Sequence, residues 1–471
     1  MHEPPLSPPS APARRSIGRR LTRSLAEARA ELPALGRLAG PVVVAEIGWM
    51  FMGIVDTLMV GPLGPAAIGG VGMGSSLFFW LAVFGMGLLL GLDTVVSQAA
   101  GAGDAVRCRR WLWQGLALAI VVAGPIALAS EALRVNLGRL GLHPEVAPIV
   151  DGYLGVVFYS LLPLLVYAAT RRYLQAIGVV APVMFTLVTA NIVNALGNWV
   201  LIYGGLGVPA MGPVGAAWAT VGARAYMALA LLTVVVLLDR RRGEQAIWRV
   251  PRAPSIEDLV KLTRLGFPAA MQITLEVGVF ALASALAGKL VPAALAAHQV
   301  ALNLAGFTFM IPLGVSSAAA VRVGHAVGRR DGRGVRVAGW TAIAAVVLVM
   351  STAALVFVLA AEPLVRLFTR DAAVIEIGMA LLGVAAMFQI FDGLQVVATG
   401  ALRGVGNTRT PMVWNLVGHW LLGLPTGWTL CFVLGWGVVG LWTGLSVGLI
   451  VCGIVLVFVW NRASRAARRA L

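Results

Sequence analysis

Gly61-Pro-Leu-Gly-Pro65-Ala-Ala67 returns 227 residues later as Gly288-Lys-Leu-Val-Pro292-Ala-Ala294. The same offset superposes Pro41 on Pro268, Gly87 on Gly314, Ala99 on Ala326, Gly101 on Gly328 and Asp104 on Asp331 without a gap. Further along, an offset one or two residues larger matches Leu174-Gln-Ala-Ile-Gly178 to Leu402-Arg-Gly-Val-Gly406, Pro182 to Pro411 and Trp199 to Trp428. The chain is therefore a duplicated unit, and the fold question reduces to what one unit is.

The chain has 471 residues, 59% of them hydrophobic and only 12% charged. This is too apolar for a surface that faces water, so the solvent must be lipid. A helix needs roughly 20 apolar residues to cross the hydrocarbon core. Runs of that kind lie at about 39–60, 73–97, 112–130, 149–170, 181–203, 213–238, 265–287, 295–320, 338–360, 374–400, 411–434 and 438–460. The reading is an all-α polytopic membrane protein of about twelve transmembrane helices, six in each repeat. Six is even, so the two units insert in the same orientation and are related by an axis along the membrane normal. Two tandem lobes forming a V around a cleft, rocking to give alternating access, is the architecture this predicts. The expected divisions are a disordered basic tail over 1–37, an amino-terminal lobe over 38–238, a charged linker over 239–264, a carboxy-terminal lobe over 265–460 and a basic tail over 461–471.

A net charge of +16 raises the question of nucleic acid, and the position of the charge answers it. With a cytoplasmic amino terminus, 30 of the 36 Lys and Arg residues fall on the cytoplasmic side, five fall outside and Arg224 sits within a span. That is the positive-inside pattern, with both termini cytoplasmic in a bacterial inner membrane and attraction to lipid in place of nucleic-acid binding. No removable signal peptide is read. Cys108, Cys431 and Cys452 lack ligand spacing, so neither disulfide nor structural metal is expected.

Charged groups inside the spans carry the functional signal. A charge at a helix centre costs about 2.5 to 3.5 kcal/mol on insertion scales and needs a reason to be there. Five acids qualify: Glu46, Asp56, Asp93, Glu276 and Asp392. Glu276 lies near the middle of the seventh span, with Gln272 one turn earlier on the same face. Asp392 shares a face of the tenth with Gln389, Gln395 and Thr399, a stripe that should line water. Asp56 is expected to lack any nearby cation, so burial should favour its protonated form or a bound ion. Asn191, Asn194 and Asn198 share one face of the fifth span. Asp93, near the cytoplasmic end of the second, and Glu46 are weaker candidates. Under the repeat, Asp56 corresponds to Ala283, Glu276 to Trp49 and Asp392 to Leu164. The frame is duplicated and the acids are not, so each lobe should hold a different site.

No GxxxxGK[ST], HExxH or GxSxG pattern is present, which argues against ATP hydrolysis and against an intramembrane enzyme. No cofactor is expected, and coupling would come from an ion gradient.

The residues also resemble a known family, the multidrug and toxic compound extrusion (MATE) transporters, in particular the NorM-like bacterial branch. The resemblance is carried by Gly53-Ile-Val-Asp56-Thr-Leu-Met-Val-Gly61, Asn194-Ala-Leu-Gly-Asn198-Trp199, Leu265-Gly-Phe-Pro268, Glu276-Val277, Ala297-His-Gln-Val-Ala-Leu-Asn303 and Gln395-Val-Val-Ala-Thr-Gly400-Ala-Leu-Arg403-Gly404. It implies a secondary active antiporter that exports cationic or amphipathic drugs or metabolites in exchange for Na+ or H+; separately, a monomer is expected, with membrane lipids as its surroundings. It also implies ion or drug binding at Asp56, Asn194 and Asn198 and a cation site, Na+ included, at Glu276 and Asp392. Gln272, Gln389, Gln395, Asn191 and Asp93 stand as secondary candidates. The alternative is a flippase for lipid-linked saccharides, which would be expected to line its cavity with several Arg or Lys.

Overall fold

The computed structural model describes residues 11–140, 142–240 and 254–471, with side chains from residue 26 onward except at 140. Twelve helices among them are long and apolar enough to cross a membrane: α1 Ala26–Leu63, α2 Pro65–Gly101, α3 Ala105–Val135, α4 Ala147–Ala176, α5 Ala181–Tyr203, α6 Pro213–Arg240, α7 Ile256–Ala287, α8 Pro292–Gly328, α9 Gly332–Leu359, α10 Ala372–Gly404, α11 Arg409–Val433 and α12 Gly437–Ala470. In hydrocarbon every backbone N–H and C=O must find a partner within the protein, and a helix supplies these along its own length. The chain is thus a multi-pass membrane protein, and the helix count read from hydropathy holds.

The helices form two lobes. α1–α6 close around a core that includes Phe78, Leu92, Trp111, Tyr153 and Leu165. α7–α12 hold two clusters, one with Val279, Leu381 and Trp442 and the other with Val323, Val346 and Trp460. The lobes meet where α2 crosses α7, α1 crosses α8, and α2 crosses α8. Among the described residues, every hydrogen bond between lobes lies toward the end that carries Gly101, Ala176, Gly328 and Gly404. From that closed end the two lobes open as a V.

Small residues make the closed end possible, and the repeat places them in pairs. A Cβ added to Gly87 would overlap the backbone of Ala270, and one added to Gly314 would overlap that of Val43. Gly314 and Ala270 are the positions that the offset of 227 assigns to Gly87 and Val43. The crossing of α2 on α7 is therefore repeated as the crossing of α8 on α1, the arrangement that lets helix backbones approach in lipid. Phe84 and Phe267 stack edge to face across the first of these crossings, with ring centroids 6.1 Å apart.

The structure draws the edges of the lobes earlier than the sequence reading does. Of the tail expected to be disordered over 1–37, residues 1–10 lie outside the described residues, and the helix that becomes α1 already runs from Ala11. Leu35 is 3% exposed and packs into the inner cluster of the opposite lobe. Glu31 accepts two hydrogen bonds from Arg322, at 2.6 and 2.7 Å, and Glu27 pairs with Arg333. The expected linker over 239–264 changes in the same way. Residues 241–253 lie outside the described residues, while Asp239 ends α6 in a buried ion pair with Arg109 at 2.7 Å and α7 starts at Ile256. Leu262, the repeat counterpart of Leu35, is fully buried in the core of the first lobe. Each lobe's leading helix thus lies across the end of the other lobe with one face buried and acids paired across it, Glu27 and Glu31 on α1 and Asp258 on α7, which gives it structure that its charged composition conceals. The segment over 461–470 is likewise helical, the final turns of α12.

Candidate functional site

In the first lobe α1, α5 and α6 bring Asp56, Asn194, Asn198 and Thr220 together. Asn198 donates from Nδ2 to Asp56 Oδ1 at 2.6 Å and makes a longer contact of 3.3 Å with Asn194 Oδ1. Thr220 Oγ1 lies 3.4 Å from Asp56 Oδ2. Asn194 and Asn198 are both fully buried, and Asn198 Oδ1 and Asn194 Nδ2 have no partner. A spacing of four on α5 stacks the two amides toward α1, which is why the pattern was legible. Asn191, one turn earlier, does not join them: it donates to the carbonyl oxygens of Gly48 and Leu187 and fastens α5 to α1.

The expectation that Asp56 lacks a nearby cation is overturned. Arg224 lies one turn beyond Thr220 on α6 and acts electrostatically on Asp56. It is held by Ser160, to which Nη1 donates at 2.6 Å, and by Phe78, whose ring centroid is 4.7 Å from the guanidinium carbon. Tyr153, buried on α4, feels both charges. Neither Thr220 nor Tyr153 stood out in the sequence, although Thr220 and Arg224 at a spacing of four were the available signal.

In the second lobe α7, α10 and α11 contribute Glu276, Asp392 and Asn415. Asn415 donates from Nδ2 to Glu276 Oε2 at 3.2 Å, and Glu276 and Asp392 lie within electrostatic reach of one another. Among the described residues neither acid has an ion-pair partner. On the same helices several buried oxygens lack a hydrogen-bond partner: Oε1 of Gln389 and of Gln395 and Oγ1 of Thr399 on α10, and Oδ1 of Asn415 on α11. Gln389 donates from Nε2 to Thr308 at 2.6 Å, which leaves its oxygen free, and Gln272 is buried on α7 one turn before Glu276. Carboxylates and amide or hydroxyl oxygens without soft ligands suit a hard cation. No group of three or more His, Cys, Asp or Glu able to hold a metal ion occurs among the described residues.

Asn415 is a functional candidate that the sequence does not single out. α11 is π-helical over Leu416–Gly423 and Thr429–Val433, so its face does not follow the ordinary helical period. His419 is fully buried one turn from Asn415. Gly418, Gly423 and Gly427 seat the helix against Gly444, Gly448 and Cys452 of α12.

Asp93 and Glu46 belong to neither cluster. Glu46 forms a buried ion pair with Arg171 inside the first lobe. Asp93 lies between Arg172 of its own lobe at 3.6 Å and Arg403 of the other at 3.3 Å. Beside it Thr94 donates to the carbonyl oxygen of Arg403 at 2.6 Å and Gln98 to that of Gly404 at 3.0 Å. Asp93 is part of the closure between lobes.

Two tandem six-helix lobes, closed at one end and each carrying its own buried polar cluster, define a transporter-like polytopic membrane fold. The sequence model of the MatE family matches the chain twice, over residues 41–200 and 268–429, once in each lobe. The chain is 36% identical over 448 residues to the probable multidrug resistance protein NorM of Mesorhizobium japonicum, which covers 93% of this chain and 95% of that one. It is 33% identical to the multidrug resistance protein NorM of Vibrio vulnificus, with coverage of 89% and 92%. The crystal structure of the eukaryotic MATE transporter AtDTX14 superposes with a TM-score of 0.82 at 22% identity, over 94% of this chain and 99% of that one. A MATE crystal structure in the bent conformation gives 0.84 at 18%, over 95% and 98%. The chain belongs to the MatE family.

Proposed function

We propose that this protein is a secondary active antiporter of a bacterial inner membrane that exports cationic or amphipathic small molecules in exchange for Na+ or H+. Its relatives are named as multidrug resistance proteins. The observation that carries the reading is the pair Glu276 and Asp392, two carboxyl groups within electrostatic reach of one another that have no ion-pair partner among the described residues, with Asn415 donating to Glu276. Such a pair competes for positive charge, whether that comes from a coupling ion or from a cationic solute.

The basic ends of the helices are cytoplasmic under the positive-inside rule, so the closed end seals the cytoplasm and the V opens outward. An ion entering from outside binds the carboxyl pair and displaces the solute. The closure at Asp93 and Arg403 must then break for the lobes to rock and present the cavity inward. The ion drives the cycle only if it binds the two states unequally, because equal affinity shifts no population. One charge crossing about 100 mV supplies about 2.3 kcal/mol, enough to concentrate a singly charged exchange usefully.

The test is ethidium efflux from drug-sensitive bacteria expressing wild type, Glu276→Gln and Asp392→Asn at matched membrane levels, with sodium and proton gradients imposed separately. Export by wild type and its loss in both variants is the expected result, and the effective gradient names the ion. Variants that export like wild type would show that the acids are structural.

A further inference from the structure

We propose that Arg224 is a tethered cation for the cavity of the first lobe: it serves Asp56 as a free ion serves Glu276 and Asp392, so that the coupling ion binds the second lobe alone. This rests on the antiport reading and deepens it by dividing ion and solute between the lobes.

The two clusters differ in one respect that matters for charge. Both place carboxylate beside buried amides, but only the first has a guanidinium on its wall. Arg224 is 8% exposed and shares a face of α6 with Thr220, whose hydroxyl lies against Asp56. An arginine keeps its charge in proteins, so this positive group is a permanent part of the cavity.

It is also fixed in place. Ser160, in the tight turn Phe158–Ser160 of α4, accepts from Nη1 at 2.6 Å, and the face of Phe78 from α2 lies under the guanidinium. Held by α4 and α2, the side chain stands near Asp56 without closing onto it, and its Nε has no partner. The carboxylate in turn is engaged by Asn198 and Thr220. Charge is balanced within the cluster, and Nε of Arg224 and Oδ1 of Asn198 remain without a hydrogen-bond partner. A free cation approaching Asp56 meets repulsion from Arg224, whereas among the described residues no basic group pairs with Glu276 or Asp392.

The experiment is hydrogen–deuterium exchange on the purified full chain in nanodiscs, with and without NaCl at fixed pH, and between two pH values without sodium. Wild type, Arg224→Met, Arg224→Lys and the double variant Arg224→Met/Asp56→Asn are compared, with Glu276→Gln as the control for the second lobe. In wild type the ion that couples protects peptides of α7 and α10 and leaves α1 and α5 unchanged, and Glu276→Gln abolishes that protection. In Arg224→Met a second ion-dependent protection appears in α1 and α5 and vanishes again in the double variant. Arg224→Lys, which retains the charge, behaves as wild type. Ion-dependent protection of α1 and α5 in wild type, or none in Arg224→Met while α7 and α10 still respond, would overturn the tethered cation alone. No ion response anywhere in wild type would overturn the antiport reading and this proposal with it.

Discussion

Gly101 and Gly328 occupy equivalent positions in the two repeats, and each is pressed against the backbone of the other lobe: a Cβ on Gly101 would overlap the carbonyl of His325, and one on Gly328 the carbonyl of Gln98. His325 is itself the repeat equivalent of Gln98. The closure therefore has a pseudo-twofold axis through the crossing of α2 on α8, and each half depends on the absence of one methyl group. Overpacking of this kind costs about 1 to 3 kcal/mol, which converts to roughly 5- to 150-fold in a two-state population. Gly101→Ala and Gly328→Ala are each expected to shift the protein away from the closed-end state. Spin-label distances across that end should lengthen in both, while Gly222→Ala, where nothing lies within 4 Å of the added atom, leaves them unchanged.

Among the described residues, Asp93 is the one acid held between cations of both lobes. Replacing it with Asn leaves Arg172 and Arg403 facing each other with their charges uncompensated. Breaking a buried pair from one side typically costs about 3 to 5 kcal/mol, because the remaining charge has lost its partner. Asp93→Asn should lower thermal stability in detergent and open the closed end, and Arg403→Met in the Asp93→Asn background should recover part of both. Additive losses in the double variant would show that the two residues act separately.

The exchange of Leu35 and Leu262 between lobes gives a packing prediction. Each leucine fills the core of the lobe it does not belong to, so truncation leaves a cavity and removes a contact between lobes at once. Buried Leu→Ala changes cost about 2 to 5 kcal/mol. Leu35→Ala and Leu262→Ala should each lower the melting temperature by several degrees. Leu32→Ala, on the exposed side of the same helix, should not.

These cases show where the sequence was legible. Apolar run lengths set the helix count because lipid leaves a chain few alternatives. The acids stood out because a charge in such a run is conspicuous. Leu35 and Leu262 were readable too, since the offset of 227 also aligns Leu32 with Leu259, Arg37 with Arg264 and Leu38 with Leu265. What obscured them was composition: the tail and the linker are charged, and only the opposite lobe shows what their apolar faces are for. Asn415 was hidden because its partner Glu276 lies 139 positions away in the chain, and the pairing of Arg224 with Asp56 because those two lie 168 positions apart. Partners chosen in three dimensions leave no local trace.

The turns that begin α3 and α9 test the duplication at the level of single dihedrals. Gly103 and Arg330 are equivalent, and both adopt left-handed backbone, with φ of 75° and 57°. Each is followed by an aspartate whose N–H bonds back to an equivalent carbonyl, Asp104 to Ala99 at 3.0 Å and Asp331 to Ala326 at 2.9 Å. Each aspartate then caps the next helix, accepting from the N–H of Arg107 and of Gly334 respectively. The geometry is the same, yet the second copy places a Cβ where the first has none. A left-handed residue other than glycine costs about 1 to 2 kcal/mol, offset in part by the greater freedom that glycine loses on folding. Arg330→Gly should therefore stabilise the protein slightly, by about 1 kcal/mol or less, and Gly103→Ala should destabilise it by a comparable amount. Melting temperatures of the two variants, measured in one detergent, should move in opposite directions. Movement in the same direction would mean that the guanidinium of Arg330 contributes more at that turn than its backbone conformation costs.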